Sequence, residues 1–378
     1  MNRSIPGWII CGLLWAVCTA GASAQDAASL LIRIKAVGKE GAGNVEASKA
    51  WKELVARGPS VMPDVLAGMD DASPVAVNWL RAAIEAIQDK AMQKGEPLPT
   101  AKIQAFLADT KNNGRARRLA YECLVRLDST TPDRLLPKML DDPSGEIRRD
   151  AVEVKLKHGL RAAFVSVDAQ KKYFNDLLLH ARDRDQINDI SAELKKLGVE
   201  IDLTKHFGFV TQWQLIGPFD NVKGVGFQNV YPPEKGFDLK GEYVGKDGKV
   251  KWSEHRTDKA LGLVDLTEAV GKLKGAVVYG YSAFESKTER PIEIRAASNN
   301  AVRIWLNGKE IYFREEYHHG REMDQHIGKG TLKAGRNEVL IKVCQNEQTD
   351  SWAQEWSFQL RVCDALGAAA PIVNVTGK

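Results

Sequence analysis

The residues best suited to hold a ligand gather around one short stretch, Val302-Arg303-Ile304-Trp305-Leu306-Asn307-Gly308-Lys309-Glu310-Ile311-Tyr312-Phe313. Asn-Gly between two alternating runs predicts a two-residue type I′ hairpin. In that register Leu306 faces Lys309, Ile304 faces Ile311 and Val302 faces Phe313. Apolar residues then share one face, and Arg303, Trp305, Glu310 and Tyr312 share the other. An indole and a phenol flanked by charged groups can stack on the apolar face of a sugar ring and hydrogen-bond its hydroxyls. Two loops add aromatic candidates: Tyr317-His318-His319-Gly320, and Gln345–Gln354 with Trp352. Loop tips on a rigid scaffold are common binding places. Trp213, Trp252 and Trp356 alternate with apolar neighbours and are expected in a core.

Other chemistry finds less support. His318 and His319 are adjacent, so an extended chain points them to opposite sides. With Asp324 and His326 further on, no spacing brings three metal ligands together. Asp183, Asp185 and Asp189 fail the pattern of a calcium loop, because Asn188 stands where a Gly is needed and Leu194 where the closing Glu belongs. Arg115-Ala116-Arg117-Arg118 is the densest basic cluster and reads as the solvated start of a helix. No nucleophile elbow, phosphate-binding loop, Cys-x-x-Cys or His-Glu-x-x-His occurs, and no catalytic residue is expected.

The elements that must carry these residues fall into two halves. From Lys205 onward the period is two, with strand candidates at 209–216, 249–255, 276–284, 291–297, 301–306, 309–314, 337–344 and 356–363. Such spacing predicts an antiparallel β-sandwich or jelly roll over 205–365. Residues 25–204 show helical steps instead: Val77, Leu80, Ile84 and Ile87, then Leu119, Cys123, Leu124 and Leu127. They also repeat. Pro63-Asp64-Val65-Leu66 leads to Asp70-Asp71 and a helix, and about 70 residues later Pro132-Asp133-Arg134-Leu135 leads to Asp141-Asp142 and a helix. The fold class is therefore multidomain α + β, with stacked helical hairpins before a β-sandwich. Residues 366–378 are expected to be a flexible tail.

Residues 1–24 have the form of a secretory signal peptide: Arg3, an uncharged apolar run from Trp8 to Val17, and Ala22-Ser23-Ala24 before the cut. This predicts export to the periplasm, the cell envelope or the medium, with no membrane span after cleavage. Cys123, Cys344 and Cys363 would remain. Strands 337–344 and 356–363, joined by a polar turn, are expected to form a hairpin with Cys344 and Cys363 at its opposite ends, so three buried free thiols are expected.

Leu135, Asp141-Asp142-Pro143-Ser144 and Ile147-Arg148-Arg149-Asp150-Ala151 resemble HEAT-like repeats, which implies an α-solenoid for protein contacts over 25–204. Ser298-Asn299-Asn300-Ala301, running into the hairpin, is similar to the core of galactose-binding-like and PA14-like jelly rolls. Trp213-Gln214-Leu215-Ile216-Gly217-Pro218-Phe219, with Tyr231-Pro232-Pro233-Glu234, looks like exported planctomycete proteins that pair the two modules. PA14-like lectins hold calcium, and through it sugar, on two adjacent acidic residues. Asn299 and Asn300 fall at those positions and supply oxygen without charge, which disfavours calcium and leaves no expected cofactor.

Composition bounds the rest. The 378 residues are 44% hydrophobic, enough for real cores, and carry 53 basic against 49 acidic side chains. The small excess argues against nucleic acid as a partner. The expectation is an exported, non-catalytic binding or scaffold protein: protein contacts through 25–204, carbohydrate through 205–365. The alternatives are a purely structural envelope scaffold and a glycan-processing enzyme.

Overall fold

The computed structural model describes residues 27–236 and 238–376; the expected signal peptide lies outside the described residues. The chain divides into two compact units that part between Glu193 and Leu194. That division precedes the 204/205 boundary at which the period changes. The last helical turns belong with the strands: the Arg361 guanidinium donates to the Phe207 carbonyl (3.2 Å), and the Leu261 amide donates to Thr204 Oγ1 (3.1 Å).

The first unit is helical. Helix α1 spans 27–35. It is followed by α2 (Asn44–Ala56), α3 (Met62–Ala67), α4 (Pro74–Lys94), α5 (Thr100–Ala108) and α6 (Gly114–Leu127). Then come α7 (Thr131–Leu135), α8 (Gly145–Arg161), α9 (Val167–His180) and α10 (Arg184–Lys196). Starts are set by short polar caps: Ser73 Oγ accepts from the Ala76 amide at 3.2 Å, and Asn113 Oδ1 from the Arg115 amide at 2.9 Å. Leu80, Ile84 and Ile87 of α4 and Leu119, Cys123 and Leu124 of α6 enter one core, while Leu127 ends up exposed. The repeat seen in the sequence joins α3–α4 to α7–α8 and skips the α5–α6 pair between them.

Ion pairs link the long helices in series. Arg126 pairs with Asp89, Arg81 with Glu122, Arg118 with Asp150, and Arg149 with Asp185. The basic cluster at the start of α6 is thus not simply solvated. Arg117, Ala120 and Leu124 share its inward face, and Arg117, 1% exposed, makes two bonds to the Asp142 carboxylate (2.7 and 2.6 Å). Asp183 and Asp185 lie on the helix surface as expected, both against Arg149.

The second unit contains antiparallel sheets. Its strands are β1 (Gln212–Asp220), β2 (Glu242–Val244), β3 (Lys249–Lys251), β4 (Ser253–Arg256), β5 (Val264–Asp265), β6 (Ala276–Ser286) and β7 (Arg290–Ser298). They continue with β8 (Ala301–Leu306), β9 (Lys309–Arg314), β10 (His326–Leu332), β11 (Gly335–Gln345), β12 (Ser357–Cys363) and β13 (Ile372–Asn374). The larger sheet runs β4-β1-β6-β11-β8-β9 with β13 added to β6; the smaller runs β10-β7-β12-β5. One apolar core is shared by the two sheets, with Trp213, Phe284 and Val343 from the larger and Ile294, Phe358 and Leu360 from the smaller. A second core lies around Ile216, Phe219, Tyr279, Tyr281, Leu340 and Cys344 of the larger sheet, together with Phe227 and Trp252 from the 222–252 segment.

Two expectations are corrected here, and one strand is new. Strands β11 and β12 do not form a hairpin: β11 pairs with β6 and β8, whereas β12 pairs with β7 and β5 in the other sheet. Cys123, Cys344 and Cys363 are nevertheless buried and free, and burial pushes the Cys123 and Cys344 thiols up to about 12. The tail is not loose through residue 376, because β13 pairs with β6 and Thr376 Oγ1 accepts from the Ala283 amide at 2.9 Å. Strand β10 has no apolar alternation to announce it. Its Gly328 and Gly330 admit Ile311 and Leu306, whose side chains would lie 3.0 and 2.6 Å from an added Cβ.

Strand β10 begins with His326, fully buried, its Nδ1 3.0 Å from the Tyr312 hydroxyl. Burial, then the charges of His319 and Arg314, lower its pKa to about 4, against a smaller opposite effect of Glu316. Between pH 4 and 6.5 the unfolded chain binds the extra proton, so stability should fall as pH drops through that window, by up to about 3 kcal/mol. Chemical denaturation at stepped pH should show this slope in the wild type and a flatter one in His326→Gln. Equal slopes would overturn the assignment.

Candidate functional site

The hairpin turn forms as expected, with Asn307 and Gly308 both at positive φ (51° and 79°). Its register does not hold. Leu306 pairs with Lys309 and Trp305 with Glu310, but a bulge follows, so that Ile304 pairs with Tyr312 and Arg303 with Phe313. A one-residue shift exchanges the faces of a strand. Tyr312 therefore leaves the Arg303/Trp305 group and packs on the shared core beside His326. Arg303 and Trp305 stay together, the guanidinium 5.9 Å from the indole. That guanidinium is occupied: it pairs with Glu310 at 2.7 Å and donates to the Phe227 carbonyl at 3.2 Å. Arg303 is thus a brace beside Trp305 rather than an open ligand group.

Trp305 lines a cavity of about 140 Å³ with Tyr281, Glu234, Glu338 and Leu340. Tyr281 comes from β6, Glu338 and Leu340 from β11, and Glu234 from the segment that follows Tyr231. The Tyr281 hydroxyl donates to Glu338 Oε1 at 2.8 Å and accepts from Arg336 at 3.2 Å. Burial raises its pKa, as does Glu338, against the opposing Arg336. Glu234 Oε1 accepts from Lys342 Nζ at 2.8 Å and from the Tyr279 hydroxyl. Lys342 is fully buried and also donates to the Phe227 and Asn229 carbonyls at 3.2 and 2.7 Å. Burial and the Glu234 charge hold the Tyr279 phenol far above its ordinary range. Each carboxylate thus has a cation beside it, Glu234 with Lys342 and Glu338 with Arg336 (3.3 Å). What remains is a neutralised pocket with aromatic surface and oxygen acceptors, suited to an uncharged polyhydroxylated guest.

Sequence reasoning found Trp305 here and missed Glu234, Tyr281, Glu338 and Lys342. One signal was available. Lys342 interrupts the alternation Leu340, Lys342, Cys344 on one face of an otherwise apolar strand.

The loop candidates meet elsewhere. The His318 ring lies 6.4 Å from Tyr317 and 5.6 Å, edge to face, from Trp352, which is 62% exposed. His318 Nε2 is 2.5 Å from Asn346 Oδ1. Tyr317 accepts from Asn221 Nδ2 at 3.2 Å, and burial lifts its phenol to about 12. His319 turns away toward His326 and Gln325, as adjacency requires. Asn299 and Asn300 are buried and so are not surface ligands. Asn299 Oδ1 accepts from Ser357 Oγ at 3.0 Å, and Asn300 Nδ2 donates to the Glu355 carbonyl at 2.9 Å. Among the described residues no three His, Cys, Asp or Glu side chains are placed to share a metal ion, and no helix is long and apolar enough to cross a membrane.

No protein-family model matches the chain, and no curated protein matches it. Solved structures give weak likenesses. An anti-sigma factor domain-containing protein aligns at TM-score 0.25 and 13% identity over 43% of this chain, which spans about half (48%) of that one. A PA14 sugar-binding domain from an RTX adhesin aligns at TM-score 0.22 and 14% identity, over 44% of this chain and 96% of the domain. A β-glucosidase from Kluyveromyces marxianus aligns at TM-score 0.25 and 10% identity, over 75% of this chain and 35% of the enzyme.

Proposed function

We propose that this is an exported, non-catalytic glycan-binding protein. Its helical pairs stack as an α-solenoid of HEAT-like repeats that meets protein partners, and its sheets form a jelly roll that binds carbohydrate. The observation that carries this reading is the Trp305 cavity, in which one indole, one phenol and two neutralised carboxylates surround a space of ring size. The protein-contact role of the helical unit is supported by Leu160, Val165, Val167 and Leu179, all more than half exposed around α8 and α9.

Affinity electrophoresis of the full chain against neutral polysaccharides, with and without calcium, tests the reading. At least one polysaccharide should retard the protein without calcium. Trp305→Ala should weaken that retardation about tenfold or more, since aromatic stacking on a ring contributes on the order of 1–2 kcal/mol. Trp352→Ala should leave it intact. Loss in Trp352→Ala alone would move the site to the His318 loop. No retardation by any polysaccharide would leave a structural scaffold as the better reading.

A further inference from the structure

A groove of about 470 Å³ opens where two sheet edges meet. Strand β9 ends the larger sheet and β10 ends the smaller. Their backbones come close at Gly328, where an added Cβ would lie 3.1 Å from the Ile311 carbonyl oxygen. The apolar part of the lining is Leu306, which is buried, and Ile311, which is half-buried. Around it stand Lys309 of β9, Lys329 of β10 and Lys333 just past the end of β10. All three lysines are exposed, so a guest can reach them. Among the described residues none of the three has an ion pair, and no carboxylate lines the groove. The Trp305 cavity, by contrast, carries Glu234 and Glu338. Uncompensated charge of one sign around a low-dielectric wall concentrates its field on the space between and draws in the opposite charge.

The spread of this charge selects the kind of anion. Lys329 and Lys333 are four residues apart, about 13 Å in a strand at roughly 3.3 Å per residue. One small anion cannot span them, whereas a chain that carries anionic groups at intervals can. An ammonium is a point charge on a flexible stem and lacks the fork that grips one planar oxyanion, which also favours repeated charge. No aromatic side chain lines the groove, so it lacks the stacking platform on which single-stranded nucleic acid binds. The Leu306 and Ile311 surface suits the apolar face of a sugar ring instead. Lysines on edge strands also discourage pairing with another chain. That role requires neither their convergence on one groove nor the absence of carboxylates between them.

We propose that this groove binds an acidic polysaccharide, with Lys309, Lys329 and Lys333 meeting its carboxylate or sulfate groups. The proposal takes its ligand class from the glycan reading above, but its site shares no lining residue with the Trp305 cavity.

The test is fluorescence anisotropy of labelled polysaccharide titrated with the full chain at stepped salt. Polygalacturonate presents carboxylates and dextran sulfate presents sulfates; dextran and oligothymidylate are the controls. At least one acidic polysaccharide should bind, more weakly as salt rises. Oligothymidylate, which finds no stacking partner here, should bind about tenfold more weakly or worse. Lys309→Gln/Lys329→Gln/Lys333→Gln should weaken polysaccharide binding about 10- to 100-fold, as three exposed ion contacts acting together would. Lys223→Gln/Lys240→Gln/Lys272→Gln removes the same charge from exposed positions elsewhere and should weaken it less than about threefold. If the groove triple variant aggregates, each of its single substitutions should weaken binding about two- to fivefold. Equal losses in the two triple variants, unchanged binding in the single variants, oligothymidylate binding as tightly as the polysaccharide, or no acidic polysaccharide bound at all would each overturn the proposal. The groove triple variant should still be retarded by a neutral polysaccharide. If the wild type binds an acidic polysaccharide and no neutral one, the Trp305 reading falls and this one stands.

Discussion

Arg117→Ala is expected to destabilise the helical unit by about 3–5 kcal/mol, the usual cost of leaving one half of a buried ion pair alone. The guanidinium is 1% exposed, and the Asp142 side chain is 3% exposed. Both carboxylate oxygens are used, and Arg117 Nε also donates to the Leu107 carbonyl at 2.8 Å. Asp142 in turn accepts from the Ser144 amide at 2.8 Å, next to the start of α8. One arginine therefore ties the end of α5, the first turn of α6 and the turn before α8. Removing it strands a carboxylate in the core and frees three segments together. Arg117→Met/Asp142→Leu should recover much of the loss, because apolar replacement removes both charges. Arg81→Ala, which breaks a half-exposed pair with Glu122, should cost less than about 1 kcal/mol. Urea denaturation of all three variants, followed by helical circular dichroism, distinguishes these outcomes. A loss below about 1 kcal/mol for Arg117→Ala would show that the pair closes a surface rather than a core.

The contrast between Arg117 and its neighbours marks where sequence reading stops. Arg115, Arg117 and Arg118 form one basic run, but helical geometry sends Arg115 to solvent and Arg117 inward. Which one turns inward depends on where Asp142 arrives, a contact across 25 residues. The hairpin repeats the lesson. Asn307-Gly308 fixes its turn through local backbone preference, and the turn was legible. The extra residue in β9 is not encoded in the turn, and it moved Tyr312 to the other face. Period-two alternation marks most strands but not their partners, so it points to one hairpin where β11 and β12 in fact lie in different sheets. Strand β10 was invisible because its glycines serve the packing of Ile311 and Leu306 rather than any pattern of its own. Of the candidate site, aromatic residues stand out in sequence, whereas the carboxylates that face them come from 234 and 338 and meet only in the fold.

Lys342→Ala should have an effect as large as that of Arg117→Ala, and it should reach the binding cavity as well. Lys342 is fully buried on the central strand β11, with the Tyr231 and Tyr279 rings 5.5 and 5.6 Å from its ammonium. Its three donors are used by Phe227, Asn229 and Glu234. Truncation leaves the Glu234 side chain, 7% exposed, without its cation, and takes a donor from the Asn229 carbonyl and one of two from the Phe227 carbonyl, which keeps Arg303. A loss of about 3–5 kcal/mol follows from the stranded charge. Lys342→Met/Glu234→Gln should regain stability, yet it changes the acceptor in the Trp305 cavity from carboxylate to amide. If Glu234 receives a hydroxyl of the guest, this stable double variant should bind polysaccharide about tenfold more weakly, since a hydrogen bond to a charged group contributes roughly 1.5–3 kcal/mol. Thermal melts combined with affinity electrophoresis separate the two effects. A double variant that melts with the wild type and binds equally well would leave Trp305 in the site and remove Glu234 from it. One that melts with the wild type and binds weakly would tie the buried ion pair directly to recognition.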